Sequence, residues 1–253
     1  MLTSRRRKVE KLDFILAGAQ KSGTTALHYF LQKHASITLG DQQEMHFFDD
    51  EELFSRPVDY AALHRHFTPV TATTVAGECT PSYLYWKPAA ERIWKYNPDI
   101  KLLVLLRNPI DRAFAHWNMQ RFKGREPLDF IEAVNSEKNR IAQPLSLESR
   151  RFSYVDRGFY SQQLGRFFQL FPREQLKIIK FEAFRNKQQE ALNSIFEFLG
   201  VKPLGRVRSK DKNIVPYERE MRLDERGYLY QIFADEIVKL EQLLGWDCSD
   251  WKV

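Results

Sequence analysis

Cysteine is nearly absent from this 253-residue chain: only Cys79 and Cys248 occur, far apart and at no metal-binding spacing. A disulfide scaffold and a thiolate metal knuckle are thereby excluded, and a reduced, cytoplasmic setting is expected. Long apolar runs are lacking too. None approaches the roughly 18–20 residues of a membrane span, and the basic start Met1-Leu-Thr-Ser-Arg-Arg-Arg-Lys8 is followed by no apolar stretch long enough for a signal peptide. There is no internal repeat, no low-complexity segment and no convincing linker. The basic residues 5–8 read as a solvated tail. One domain over 13–253, preceded by a basic tail over 1–12, is the expected organisation.

What the chain does have is a large apolar fraction, 43%, with 19 Phe, and a net charge of +6. That is enough for a sizeable core. The charge suits an anionic ligand, and equally nucleic acid or a membrane surface, so it decides nothing alone. Short continuous apolar runs at 14–17 and 102–106 read as strands buried on both faces. Residues 176–179 form a third candidate and 73–78 a weaker fourth. Helical periodicity lies between them. Leu27, Phe30 and Leu31 share a face over 25–33, Pro109 opens a helix running towards Arg121, and Leu164, Phe167, Phe168 and Phe171 recur at helical spacing over 160–171. Residues 188–199 and 224–244 follow the same pattern, with Gly200 and Gly245 as expected C-caps. Residues 142–157 and 201–217 read as irregular. Strands alternating with helices predict an α/β fold: a central parallel sheet flanked by helices.

The strand over 14–17 runs into Gly18-Ala-Gln-Lys-Ser-Gly-Thr-Thr25 and then into a helix. Backbone N–H groups of such a loop and the helix N-terminus converge on one spot, which binds phosphate or sulfate. Gly18 and Gly23 permit close backbone approach, and Thr24 and Thr25 add hydroxyls. The triphosphate-binding pattern G-x-x-x-x-G-K-[ST] shares the glycine spacing and Thr25. Its lysine place, however, is Thr24 here, and the lysine sits inside the loop as Lys21. The strand over 102–106 ends in Arg107, where an NTPase would hold its metal-binding Asp. An anion held without Mg²⁺ or any other metal is the expectation, with Lys21 neutralising its charge. The bland alternative is a Gly-rich strand–helix turn that binds nothing.

Taken with other segments in order, the loop acquires a specific likeness. Gln20-Lys-Ser-Gly-Thr-Thr-Ala-Leu27 resembles the 5′-phosphosulfate loop of sulfotransferases that use 3′-phosphoadenosine 5′-phosphosulfate (PAPS), most of all the branch of the heparan sulfate sulfotransferases. Gln43-Glu-Met-His-Phe-Phe-Asp49 resembles that family's K-E-x-H-F-F-D, and Gly77-Glu-Cys-Thr-Pro-Ser-Tyr83 its E-K-T-P-x-Y. Leu105-Leu-Arg-Asn-Pro-Ile-Asp-Arg-Ala-Phe114 resembles the 3′-phosphate strand and helix. Gly158-Phe-Tyr160, Phe171-Pro172 and Phe181-Glu182 resemble the C-terminal half. The likeness covers roughly residues 13–251.

The resemblance implies PAPS as donor, with Lys21 on the bridging oxygen that gains charge as the S–O bond breaks. It implies Ser22, Gly23, Thr24 and Thr25 on the 5′-phosphate and the planar fork of Arg107 on the 3′-phosphate. Glu44 is the implied general base for an acceptor hydroxyl, desolvated by Met45, Phe47 and Phe48 so that its basicity rises. His46 orients the acceptor or shares the proton transfer, and Thr80 and Tyr83 line the acceptor pocket. Cys79 is expected as a small core residue. Two departures stand out. Ala115 occupies the place, eight residues after the arginine, of a serine that commonly binds the 3′-phosphate. The family's late basic loop is altered to Ser209-Lys-Asp-Lys-Asn213, where Lys210, Lys212 and Asn213 are candidates for closing over the donor.

The expected reaction is in-line sulfuryl transfer to a hydroxyl of a small metabolite, by a soluble enzyme of bacterial type with no nucleic-acid or membrane partner. A glycan, or an amine or guanidine nitrogen, is the alternative acceptor. A P-loop small-molecule kinase and a non-catalytic binder of anionic polymers are the competing classes.

Overall fold

The computed structural model describes residues 7–207 and 216–252. The chain divides into two compact units, Met1–Leu106 with Arg166–Asn213, and Arg107–Gly165 with Ile214–Val253.

The first unit is built on a five-stranded, all-parallel sheet: β1 (Phe14–Gly18), β2 (Ile37–Leu39), β3 (Val75–Cys79), β4 (Lys101–Leu106) and β5 (Leu176–Lys180), in the order β2-β3-β1-β4-β5. All five residues of β1 are buried, as a strand covered on both faces must be. Helices α1 (Thr24–Gln32), α2 (Ala61–His64), α3 (Ala89–Tyr96), α8 (Phe181–Asn186) and α9 (Gln188–Leu199) belong to the same unit. Leu27, Phe30 and Leu31 of α1 join Leu16, Leu103, Leu105, Ile195 and Phe196 in its main apolar core.

Strand order matters for the site. β1 is central, and the chain moves from it first to one side of the sheet and then to the other. In open α/β sheets a ligand binds beyond the carboxyl ends of the strands where that reversal occurs. The loops leaving β1, β2 and β3 all emerge there, and they carry the phosphate loop, Glu44 and Thr80.

The first unit begins before residue 13. Arg7 forms an antiparallel bridge with Val70 through two 2.8 Å backbone bonds. Val9 and Leu12 are buried, while Arg7 and Lys8 remain exposed. Segment 7–12 is therefore held by backbone pairing and apolar burial, whereas the sequence marked all of 1–12 as a tail.

The second unit contains α4 (Pro109–Phe122), α5 (Phe130–Arg140), α6 (Leu147–Phe152) and α10 (Leu223–Leu244); α7 (Tyr160–Phe168) starts in it. Pro109 opens α4 as expected, and the Asn108 side chain caps it by accepting the Ile110 N–H at 2.9 Å. Segment 142–157, which reads as irregular, contains α6 and is pinned by buried carboxylates. Glu137 accepts the backbone N–H groups of Val155 and Asp156, both at 2.7 Å. Burial nevertheless pushes the Glu137 carboxyl up to about 7. Glu126, its side chain fully buried, accepts the Tyr154 hydroxyl at 2.7 Å and pairs with Arg140.

Candidate active site

The phosphate loop joins β1 to α1. Lys21 and Gly23 have φ of 68° and 86°, both left-handed, and between them the Ser22 N–H closes the turn by donating to the Ala19 carbonyl at 3.2 Å. Gly23 is also the residue from which α1 starts. A Cβ there would lie 2.7 Å from the Phe181 ring, and one on Gly18 would lie 2.5 Å from the Leu84 Cβ. Neither position has room for a side chain. The Ala26 and Leu27 N–H groups both donate to the Gly23 carbonyl at 3.1 Å, which leaves those of Thr24 and Thr25, in the first turn of α1, for an anion. Ser22 is fully buried, and its Oγ has no hydrogen-bond partner among the described residues. A buried hydroxyl without a partner is costly unless something fills that role. Together with the first-turn N–H groups of Thr24 and Thr25, it fits the loop to an anion such as a phosphosulfate.

The segment after β2 lies against α1. The Gln43 side-chain amide donates to Thr25 Oγ1 at 3.5 Å. His28 lies one turn further along the same face of α1, and burial lowers its pKa more than the Glu44 charge raises it. His46 links two carboxylates: its Nε2 is 3.3 Å from Glu44 Oε2, and its Nδ1 is 3.0 Å from Asp49 Oδ2. Hydrogen bonds to Asp49 and then Glu44 raise the His46 pKa to about 9. At neutral pH the ring is an imidazolium with both N–H groups donating. Of the two roles the sequence left open for His46, orientation fits this state; accepting a proton does not.

Glu44 differs from the expectation in its surroundings. Its side chain keeps 43% of its surface. Phe47 and Phe48, expected to desolvate it, are buried in an aromatic cluster with Phe54, Tyr60, Tyr83 and Tyr96. Apolar side chains next in sequence turned inward to the core, leaving the carboxylate at the surface.

Thr80 and Tyr83 also differ from the expectation. Both are fully buried. Thr80 Oγ1 accepts the backbone N–H groups of Met45 at 3.1 Å and His46 at 3.4 Å, and donates to Glu78 Oε2 at 2.9 Å. The Tyr83 hydroxyl accepts the N–H groups of Phe47 at 2.9 Å and Phe48 at 3.3 Å. These hydroxyls are committed to the backbone of the Glu44 loop and do not line an open pocket. Burial pushes the Glu78 carboxyl up to about 7, and burial holds the Cys79 thiol well above its usual range, in keeping with a packed core residue.

Sequence reasoning assigned no role to Asp49, Glu78, Ser82 or His28. Asp49 is fully buried and accepts a short hydrogen bond from Ser82 Oγ as well as that of His46. Its signal was present: an acidic residue three places after His46, directly behind two phenylalanines.

In the second unit, Arg107 directly follows β4, and its carbonyl accepts the Tyr160 hydroxyl at 3.1 Å. Ala115 is buried on α4, and the adjacent His116 packs its ring on Tyr154 at 5.0 Å. Lys210, Lys212 and Asn213 lie outside the described residues.

A parallel sheet with a phosphate-type loop at its reversal point, and a carboxylate–imidazole pair beside it, suits a group-transfer enzyme acting on an anionic donor. A family model described as "Sulfotransferase domain" matches residues 11–217, and the chain belongs to that family. A sulfotransferase from Alicyclobacillus acidocaldarius has a similar structure, with a TM-score of 0.81 and 32% identity, covering 96% of this chain and 99% of that one. The human bifunctional heparan sulfate N-deacetylase/N-sulfotransferase 2 is 27% identical over 86% of this chain and 24% of its own length. The mouse heparan sulfate glucosamine 3-O-sulfotransferase 5 is 28% identical over 75% of this chain and 53% of its own. The chain thus spans about a quarter to a half of these two relatives. The kinase and polymer-binder readings give way to a sulfotransferase, for which PAPS is the donor typical of the family. No helix among the described residues is long and apolar enough to cross a membrane.

Proposed function

We propose that this sulfotransferase moves the sulfuryl group of PAPS to a hydroxyl of a small metabolite, with Glu44 as the base. The observation that carries the reading is the Glu44–His46–Asp49 chain set beside the first turn of the phosphate-loop helix. His46 occupies Glu44 Oε2, which leaves Oε1 for the proton of the incoming hydroxyl. The acceptor oxygen forms a bond to sulfur, the bond from sulfur to the bridging oxygen breaks, and the acceptor proton passes to Glu44. The donor supplies the sulfuryl group and a bisphosphate that leaves. The loop N–H groups, Ser22, Thr24 and Thr25 hold its 5′-phosphate, and Arg107 holds the 3′-phosphate. Lys21 opposes the charge that develops on the leaving oxygen. Lys210, Lys212 and Asn213 are proposed to close over the donor. Without a hydroxyl at Ala115, Arg107 carries more of the 3′-phosphate.

A glycan acceptor is the second reading. It is favoured by the 43% exposure of the Glu44 and His46 side chains, which suits a long acceptor lying across an open surface, and by the heparan sulfate activities named for the relatives.

The test measures donor affinity and single-turnover rate together, with 4-nitrophenol and an N-sulfated heparan oligosaccharide as probe acceptors. Glu44→Gln leaves donor affinity intact and lowers turnover by about 10²–10⁴-fold. Lys21→Ala lowers turnover comparably and also weakens donor binding. Wild-type turnover in the Glu44→Gln enzyme removes Glu44 as the base. Turnover of the oligosaccharide alone selects the glycan reading.

A further inference from the structure

The segment leaving β3 is bonded to the Glu44 loop through three side-chain hydroxyls. Two hydroxyls, those of Thr80 and Tyr83, take four consecutive backbone N–H groups, Met45 to Phe48. A third hydroxyl, on Ser82, donates to Asp49. The Thr80 hydroxyl is saturated: it accepts twice and donates once, to the buried carboxylate of Glu78. Within the stretch it grips, His46 has φ of 53°, a conformation a β-substituted residue seldom adopts without outside support. Regular secondary structure supplies none, since 43–47 is neither helix nor strand.

We propose that Thr80, anchored on Glu78, is a positioning residue of the reaction: by fixing the backbone at Met45 and His46 it holds the His46 ring between Asp49 and Glu44, and so aims Glu44. This deepens the proposed function and rests on it. Thr80 touches no reacting atom. Its effect reaches the acceptor through the orientation of Glu44, and the donor loop is built from other residues. Loss of the hydroxyl therefore separates catalysis from donor binding, which a general loosening of the core would not do.

The test uses Thr80→Val, which keeps the shape and removes the hydroxyl, and Thr80→Ser, which returns it. The Hε1 signal of His46 is followed by NMR against pH in the donor-free protein, assigned among the six histidines with His46→Gln. Turnover with the two probe acceptors and affinity for adenosine 3′,5′-bisphosphate are measured alongside. A wild-type midpoint of about 9 is expected. Thr80→Val moves the midpoint towards the ordinary value of about 6.5, lowers turnover about 10–100-fold and changes bisphosphate affinity less than twofold; Thr80→Ser restores both. If Thr80→Val does not fold, Tyr83→Phe, which removes the acceptor for the Phe47 and Phe48 N–H groups, gives the same displacement. A folded Thr80→Val protein with the wild-type His46 midpoint overturns the proposal, as does a Thr80→Ser protein no better than Thr80→Val. A wild-type protein that neither binds the bisphosphate nor transfers sulfuryl overturns the proposed function instead, and the donor-free titration still decides what Thr80 holds.

Discussion

At neutral pH the His46 ring keeps its proton because Asp49 and Glu44 both accept from it. This has a consequence for stability with a definite sign. The folded-state pKa lies above the unfolded value of about 6.5, so the folded protein binds the proton more tightly. The stabilisation is complete below pH 6.5 and is lost as the pH rises through about 9. The side chain is 43% exposed, so solvent screens the pairs and the effect is on the order of 1–2 kcal/mol. Urea unfolding of wild type and His46→Gln at pH 6, 7.5 and 10 measures it. The wild-type advantage is largest at pH 6 and gone by pH 10; a difference constant across that range contradicts the ion pairs. Glu44 and His46 were legible as residues, because a carboxylate and an imidazole two places apart formed part of a matching segment. Asp49 closed that same segment, but the more distant partners were not legible. Ser82 lies 36 residues from His46 in sequence, and no local period connects them.

The strand–loop–helix element from β1 to α1 is where sequence and structure agree in most detail. Continuous apolar residues form a strand buried on both faces, and glycines stand where the backbone turns left-handed and approaches other groups. Gly23→Ala tests that element. It places a Cβ at φ 86° and 2.7 Å from the Phe181 ring, which costs roughly 1–3 kcal/mol and distorts the N–H groups that face the anion. A lower melting temperature with bisphosphate affinity reduced at least about 10-fold is expected; an unchanged affinity removes the loop from the donor site. Other elements were hidden. β2 has three residues, too few for a period to show. α5 buries Glu137 beside Phe130, Ala133 and Val134, so a charged residue interrupts the apolar stripe by which helices are recognised. α6 sits in a stretch whose order depends on buried carboxylates, and those bonds leave no trace in local composition.

For the whole molecule, a donor that binds only the folded chain raises its stability by mass action. Adenosine 3′,5′-bisphosphate at about 100 times its Kd adds about 2.7 kcal/mol, or roughly 5–10 °C in Tm for a chain of this size. The gain is the same in excess EDTA, and ATP with Mg²⁺ gives a smaller one, because the loop carries its lysine at position 21 and not at the triphosphate position. A thermal shift that requires Mg²⁺, or equal shifts for both nucleotides, contradicts a phosphosulfate site.

By itself the sequence determined the α/β class, the phosphate loop and the ordered segments that mark a sulfotransferase. Each depends on interactions within a few residues: apolar continuity, glycine at a turn, a cation inside a loop. Only the tertiary structure decided the order β2-β3-β1-β4-β5, and with it which loops meet at the reversal point. It also decided that Thr80 and Tyr83 face the backbone of the Glu44 loop, that Asp49 lies buried under His46, and that Glu44 stays at the surface. Those outcomes follow from crossovers that bring segments dozens of residues apart into contact, and from burial, which assigns a hydroxyl or a carboxylate its partners only once the chain has closed around it.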